Sequence, residues 1–156
     1  MREQRNGRFS SKAAISTNRL RLGLGSPTVV PPAVIRDFVE AASSADGDRA
    51  GSLVTADAVF QIPGPRELPS GEAGASAFAA QHAESDGRKS SVELLGAEQK
   101  DEDRWVTSLR FSAVEVASGE LQYEMTVGGI FTLEGDRISA VQAFPSYEEA
   151  VAAANS

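Results

Sequence analysis

Three side chains in this 156-residue sequence stand out as candidates to move a proton inside a folded domain. His82 is the only histidine, and an imidazole titrates near neutral pH, which suits a general base. It follows Phe78 by four residues and so shares a helix face with it, aimed at whatever cavity that face borders. Against this, Glu84, Ser85 and Asp86 come directly after it, as they do at a solvated helix end. Tyr123 supplies a phenolic donor on an otherwise apolar strand face; the plainer reading is an amphipathic core tyrosine with its hydroxyl at the surface. Glu115 has the same strand parity as Trp105 and is the one carboxylate on that side. A bulge would turn it outward, and its place near a strand end favours solvent. His82, Tyr123 and Glu115 are therefore the candidate catalytic set. Asp101, Glu102 and Asp103 are consecutive, so they cannot all face one ion and read as a solvated turn. The sequence holds no cysteine, which removes disulfides, thiolate metal sites and cysteine nucleophiles. No metal and no cofactor is expected.

The elements that must position these groups are legible from periodicity. Pro31-Pro32 suits a helix start, and Ile35, Phe38, Val39 and Ala42 then fall at i, i+3, i+4, i+7 on one apolar stripe. Asp46-Gly47-Asp48 ends that helix and caps a short second one through Leu53-Val54. Ala58–Ile62 reads as a short strand stopped by Pro63-Gly64-Pro65, a turn at the rim of any site the strand borders. A third helix is predicted from about Ser70 to Gln81. After Gly87 the period becomes two, over 89–99, 104–117, 121–134 and 137–145, with turn chemistry between the segments. Trp105, Thr107, Leu109, Phe111 and Ala113 share one face, as do Leu121, Tyr123, Met125, Val127, Phe131 and Leu133. Arg110 and Glu124 fall on the opposite parity and are placed to pair across the sheet. Ser146 with Glu149 forms a capping box for a last, alanine-rich helix. Helices first and a meander afterwards make an α+β fold, the helices on one side of an antiparallel sheet.

Composition bounds the function. Hydrophobic residues are 41% and charged residues 24%, ordinary for a globular domain, and no apolar run approaches the roughly 20 residues of a membrane span. The net charge of −7 is uneven: residues 1–30 hold six basic side chains and one acid, leaving 31–156 at −12. An acidic body argues against nucleic acid as a partner, since phosphate neutralisation needs clustered Lys and Arg. Residues 1–30 are expected to be a flexible basic extension, although Arg- and Ser-rich composition also suits an organelle transit peptide. Residues 31–156 are expected to be a single domain of a cytoplasmic protein.

The order of these elements, with "FVEAASSADGD" at the first helix end, "ADAVFQIPGP" at the strand exit, "SGEAGASAF" opening the third helix and "GGIFTLEGDRISAVQAF" as a final hairpin, resembles the nuclear transport factor 2-like superfamily, in its ketosteroid isomerase-like and SnoaL-like branch. The resemblance covers most of 31–156 and none of the first 30 residues. It implies a cone: three N-terminal helices on a curved antiparallel sheet, a short C-terminal helix, a central pocket and a homodimer. Isomerases of that branch move a proton with a carboxylate base and hold the resulting oxyanion with a tyrosine and a protonated aspartic acid. The resemblance places these roles on Phe38 (tyrosine), Ile62 (base) and Gly129 (acid), and an aspartate of related cyclases and epoxide hydrolases on Ala143. None of these side chains exchanges a proton, so the usual mechanism is not expected.

What remains is an expected pocket of Phe38, Phe60, Ile62, Phe78, Trp105, Leu109, Met125, Val127, Gly129 and Phe131, suited to a hydrophobic small molecule. One reading is a non-standard isomerase or cyclase using the relocated set of His82, Tyr123 and Glu115. The alternative is a non-catalytic ligand-binding or protein-interaction module that uses the outer sheet face. A third has the basic tail bind an anionic partner.

Overall fold

The computed structural model describes residues 21–22, 24–25, 31–62 and 67–156. The chain divides into two units, Met1–Val30 and Pro31–Ser156. In the first, Arg21–Leu22 pairs with Leu24–Gly25 in a two-residue antiparallel ladder; the expected flexibility of 1–30 otherwise falls outside the described residues. The turn expected at Pro63-Gly64-Pro65 also lies outside them.

The second unit opens with helix α1 (Ala33–Ser43), N-capped by Pro32, whose carbonyl accepts from Ile35 and Arg36. Its expected stripe is buried: Ile35, Phe38, Val39 and Ala42, joined by Ala41. Helix α2 (Gly47–Ser52) is capped as expected, with the Asp46 carboxylate accepting from the Arg49 backbone N–H at 3.1 Å. Strand β1 (Val54–Gln61) begins four residues earlier than its periodicity suggested, and its pairing is irregular between Val54 and Val59. Helix α3 (Gly71–Ala80) follows.

The meander comes next: β2 (Arg88–Gln99), β3 (Arg104–Glu115), β4 (Leu121–Glu134) and β5 (Arg137–Phe144). Asp86 and Gly87, with φ of 54° and 75°, make the two-residue turn into β2, where Ser85 and Arg88 exchange both backbone hydrogen bonds. Two successive positive φ angles are what such a hairpin turn requires, and Asp-Gly tolerates them. Helix α4 (Tyr147–Ala154) closes the chain. The Ser146 hydroxyl accepts from the Glu149 N–H at 3.2 Å, the expected cap.

The sheet order is β1-β5-β4-β3-β2. The α+β fold and curved sheet match the expectation, with two differences. First, β1 pairs parallel to β5, with Phe60 opposite Val141 and Gln61 opposite Gln142. A parallel neighbour needs a long connection, and α3 with the three preceding meander strands supplies it. Second, the helices do not all lie on one side. The even positions Val106 and Ile130 form a small core with Ala150 and Ala154, so α4 covers the face opposite α1–α3. Gly128 permits that approach, because a Cβ there would stand 2.5 Å from the Ser146 carbonyl and 2.7 Å from the Ala150 methyl. The main core is on the other face, where α1 and α3 pack on odd positions of β3 and β4. Phe38 is its centre: its ring stacks on Phe78 (5.7 Å between centroids) and Phe60 (6.3 Å) and meets Phe131 edge-on at 6.1 Å.

Candidate ligand-binding cavity

The helices do not reach the first half of β4. Leu121, Tyr123 and Met125 therefore stand 53%, 43% and 50% exposed, although they share the parity of buried Phe131. Between this open edge and the Phe38 cluster lies a cavity of about 440 Å³, in the size range of small-molecule sites. Phe38 and Val39 of α1 wall it on one side, Leu109 and Phe111 of β3 on another, and Met125, Val127 and Phe131 of β4 on a third.

Of the expected pocket residues, Phe38, Ile62, Phe78, Leu109, Met125, Val127, Gly129 and Phe131 line the cavity. Phe60 and Trp105 do not. Both are buried in the core behind it, Phe60 against Phe38 and Trp105 opposite Phe131 in the β3–β4 register. Parity placed them on the correct face of the sheet, but depth along the strand decides which residues on that face meet the cavity and which meet α1–α3. Gly129 lines the cavity beside Thr107 and Leu109. A Cβ there would come within 3.0 Å of the Thr107 hydroxyl and 3.4 Å of Leu109. Thr107 is fully buried and donates its hydroxyl to the Gly129 carbonyl at 3.1 Å.

The candidate catalytic set does not converge. Tyr123 lines the cavity at its open edge. Glu115 is exposed at the end of β3, in a separate polar depression with Glu84, Asp86 and Arg88, and accepts a hydrogen bond from the Ser118 hydroxyl at 2.5 Å. The strand end leaves it to solvent, as its position had suggested. His82 is neither solvated nor at the cavity mouth. It is 2% exposed and sits between Phe78 and Phe111, whose rings face the cavity in its place. Neither ring nitrogen has a hydrogen-bond partner among the described residues. Burial, and then the nearby Lys89 ammonium, push its pKa down to about 4, so the imidazole is neutral at pH 7.

Residues that periodicity did not assign to the wall include Val39, Val92, Val141, Phe144 and Gln81. The first three continue apolar patterns legible in the sequence. Gln81 carried no such signal. It caps the C-terminal end of α3, its backbone carbonyl accepts from the Ser90 hydroxyl at 2.9 Å, and its side-chain amide nitrogen is buried with no partner among the described residues. Tyr123 is the one ionisable side chain among the described lining residues.

On the outer face Arg110 pairs with Glu93 directly across from it at 2.6 Å and with Glu124 diagonally at 3.7 Å, the cross-sheet pairing expected. Exposed pairs of this kind contribute little stability. Asp101 forms a turn, accepting from the Arg104 backbone N–H and guanidinium, and that guanidinium lowers its pKa to about 2. Among the described residues no helix is long and apolar enough to cross a membrane.

Phe38, Ile62, Gly129 and Ala143, the four positions that carry the isomerase and cyclase roles by resemblance, all line this one cavity. The SnoaL-like domain family matches residues 35–141, most of the chain. The protein belongs to the SnoaL-like family. Solved structures agree on the fold. A protein of ketosteroid isomerase-like fold from Catenulispora acidiphila, solved with trimethylamine, is 14% identical, with a TM-score of 0.59 over 81% of this chain and 95% of that one. A proposed polyketide cyclase from Xanthomonas campestris is 20% identical, with a TM-score of 0.57 over 78% and 94%. An LEH-like epoxide hydrolase from M. tuberculosis is 15% identical, with a TM-score of 0.57 over 77% and 85%. No curated protein matches the chain. At these identities the likeness carries the fold of this SnoaL-like protein and leaves its chemistry to its own residues.

Proposed function

We propose that this SnoaL-like protein binds a hydrophobic small molecule in the cavity between α1, α3 and the sheet. The observation that carries this reading is the lining itself: apolar and aromatic side chains with no carboxylate, ammonium or imidazole among the described wall residues. Such a wall binds by burial of apolar surface, worth on the order of 25 cal/mol per Å². It offers no base for abstracting a proton from a ligand. If the protein turns its ligand over, confinement of a reactive conformer is the means this wall supplies, as in a non-standard cyclisation or isomerisation, with the Tyr123 hydroxyl as the available donor. The names of the structural neighbours, which include polyketide cyclases and an epoxide hydrolase, are in keeping with a hydrophobic ligand.

The test is a titration with the neutral dye N-phenyl-1-naphthylamine, whose emission rises in apolar surroundings. Saturable enhancement is expected for the native protein. Ala143→Phe, which fills the cavity from its β5 wall, should weaken the dye by at least about tenfold, equivalent to roughly 1.4 kcal/mol, without lowering the melting temperature. A flat response in the native protein would refute the reading.

A further inference from the structure

We infer that the cavity is gated by acid: protonation of His82 draws its imidazole out from between Phe78 and Phe111, those two rings lose their packing, and a bound ligand is released. The gate presupposes that the cavity is a ligand site, and it acts on that same site. The His82 ring is 2% exposed and lies 5.7 Å from the ring centroids of both Phe78 and Phe111. It is absent from the lining itself, so it backs two residues that do line the cavity. Both of its nitrogens are buried without a hydrogen-bond partner among the described residues. The neutral ring is thus held by packing, and a proton added in place creates an imidazolium with two unmatched donors. Such a buried charge costs far more than a buried neutral ring, and attraction to the flanking aromatic faces returns only a small part of it.

The charges on the surrounding elements do not relieve it. Lys89 of β2 acts on the ring with the same sign. Its ammonium is fixed there by the Ser43 carbonyl at the end of α1, at 2.8 Å, and by the Ser90 carbonyl at 2.6 Å. On α1, Asp37 and Glu40 pair with Arg49. On β3, Arg110 pairs with Glu93 and Glu124 on the outer face, and Glu115 lies in the separate polar depression. Glu84 and Asp86, just beyond the ring in the chain, are exposed. The described lining residues include no carboxylate. Burial and Lys89 therefore place protonation near pH 4, which keeps the gate shut at neutral pH. The way out is short. His82 follows the last turn of α3, its N–H bonded to the Ala79 carbonyl at 3.0 Å, and residues 83–87 leading into β2 are all exposed. Rotation toward that segment brings the ring to water with helix and sheet intact. Ligand and proton then compete, each weakening the other by the same factor.

His82 is the chain's only histidine, so its ring Cε1 proton gives one unambiguous NMR signal. The experiment follows that signal through acid in the free protein and with N-phenyl-1-naphthylamine, an arylamine that stays neutral throughout, at about three times its dissociation constant. The free midpoint is expected near pH 4. The dye should move it about 0.6 of a pH unit lower, as a ligand that binds only the unprotonated form must. Dye affinity should be about twofold weaker at pH 4 than at pH 7 and about tenfold weaker at pH 3, with far-ultraviolet circular dichroism unchanged. His82→Phe should bind the dye equally at all three. The same midpoint with and without dye, while the dye still binds, would overturn the gate and leave the cavity as a binding site. So would an affinity loss that tracks a loss of circular dichroism, since the whole domain would then be unfolding. A flat dye titration at pH 7 would overturn the ligand site and the gate together.

Discussion

The imidazole of His82 meets the ring of Phe111 edge-on, their centroids 5.7 Å apart and their planes at 90°. The contact buries the chain's only histidine at the back of the cavity wall, and its titration should govern stability in mild acid. The unfolded chain takes up a proton near pH 6.5, whereas the folded protein does so only near 4. Stability is therefore full above about pH 6.5 and falls as the pH drops toward 4, because the unfolded state binds more protons in that window. The loss amounts to about 3 kcal/mol at the acid end. Urea unfolding at pH 7, 5.5 and 4.5 should show it, and His82→Phe should flatten the profile. An unchanged slope in that variant would place the acid sensitivity elsewhere.

Gly128 and Gly96 should respond oppositely to the same added methyl. At Gly128 the methyl meets the Ser146 carbonyl and Ala150, so α4 must lift off the sheet. Gly128→Ala should cost about 1–3 kcal/mol. At Gly96 nothing lies within 4 Å, and Gly96→Ala should be neutral or stabilising by a few tenths of a kcal/mol. Paired thermal melts are the check.

Tyr123 should matter to the cavity through its ring. Tyr123→Phe keeps the ring at the open edge and should leave dye affinity within about twofold. Tyr123→Asp should weaken the dye by about tenfold. Its melting temperature should change little, since the site is half-exposed and such surface substitutions shift stability by about 0.5 kcal/mol or less. Comparable losses in both variants would assign the hydroxyl a direct part in binding.

Tyr147, the other tyrosine, donates to Glu98 at 3.0 Å. Burial first, and then the Glu98 carboxylate, hold its proton to about pH 12. Because the folded pKa lies above the ordinary 10, its contribution to stability is complete below pH 10 and lost as the pH rises toward 12. Ultraviolet titration of phenolate absorbance should show this late step, and Tyr147→Phe should remove it.

The sequence by itself determined what depends on neighbours along the chain. Asp46 and Ser146 cap helices because a short acceptor reaches N–H groups three residues on, whatever the rest of the fold does. The strands follow from period two, whereas the two-residue turn at Asp86-Gly87 emerged only with the structure. Alternation also put Leu109, Val127 and Phe131 on the inner face. Tertiary structure alone decided what depends on how far one element overlaps another. Period two has no coordinate for depth, so Trp105 and Phe60 could not be told apart from cavity residues on the same face. Nor could Tyr123 and Met125 be known as an open edge before the ends of α1 and α3 were placed. Polar residues just beyond His82 suggested solvent, but the chain turns there and folds the ring between Phe78 and Phe111. Gln81 shows the limit most clearly: a glutamine at a helix end is unremarkable in sequence, and only the tertiary structure, in which its carbonyl accepts from the Ser90 hydroxyl, puts it on the cavity wall.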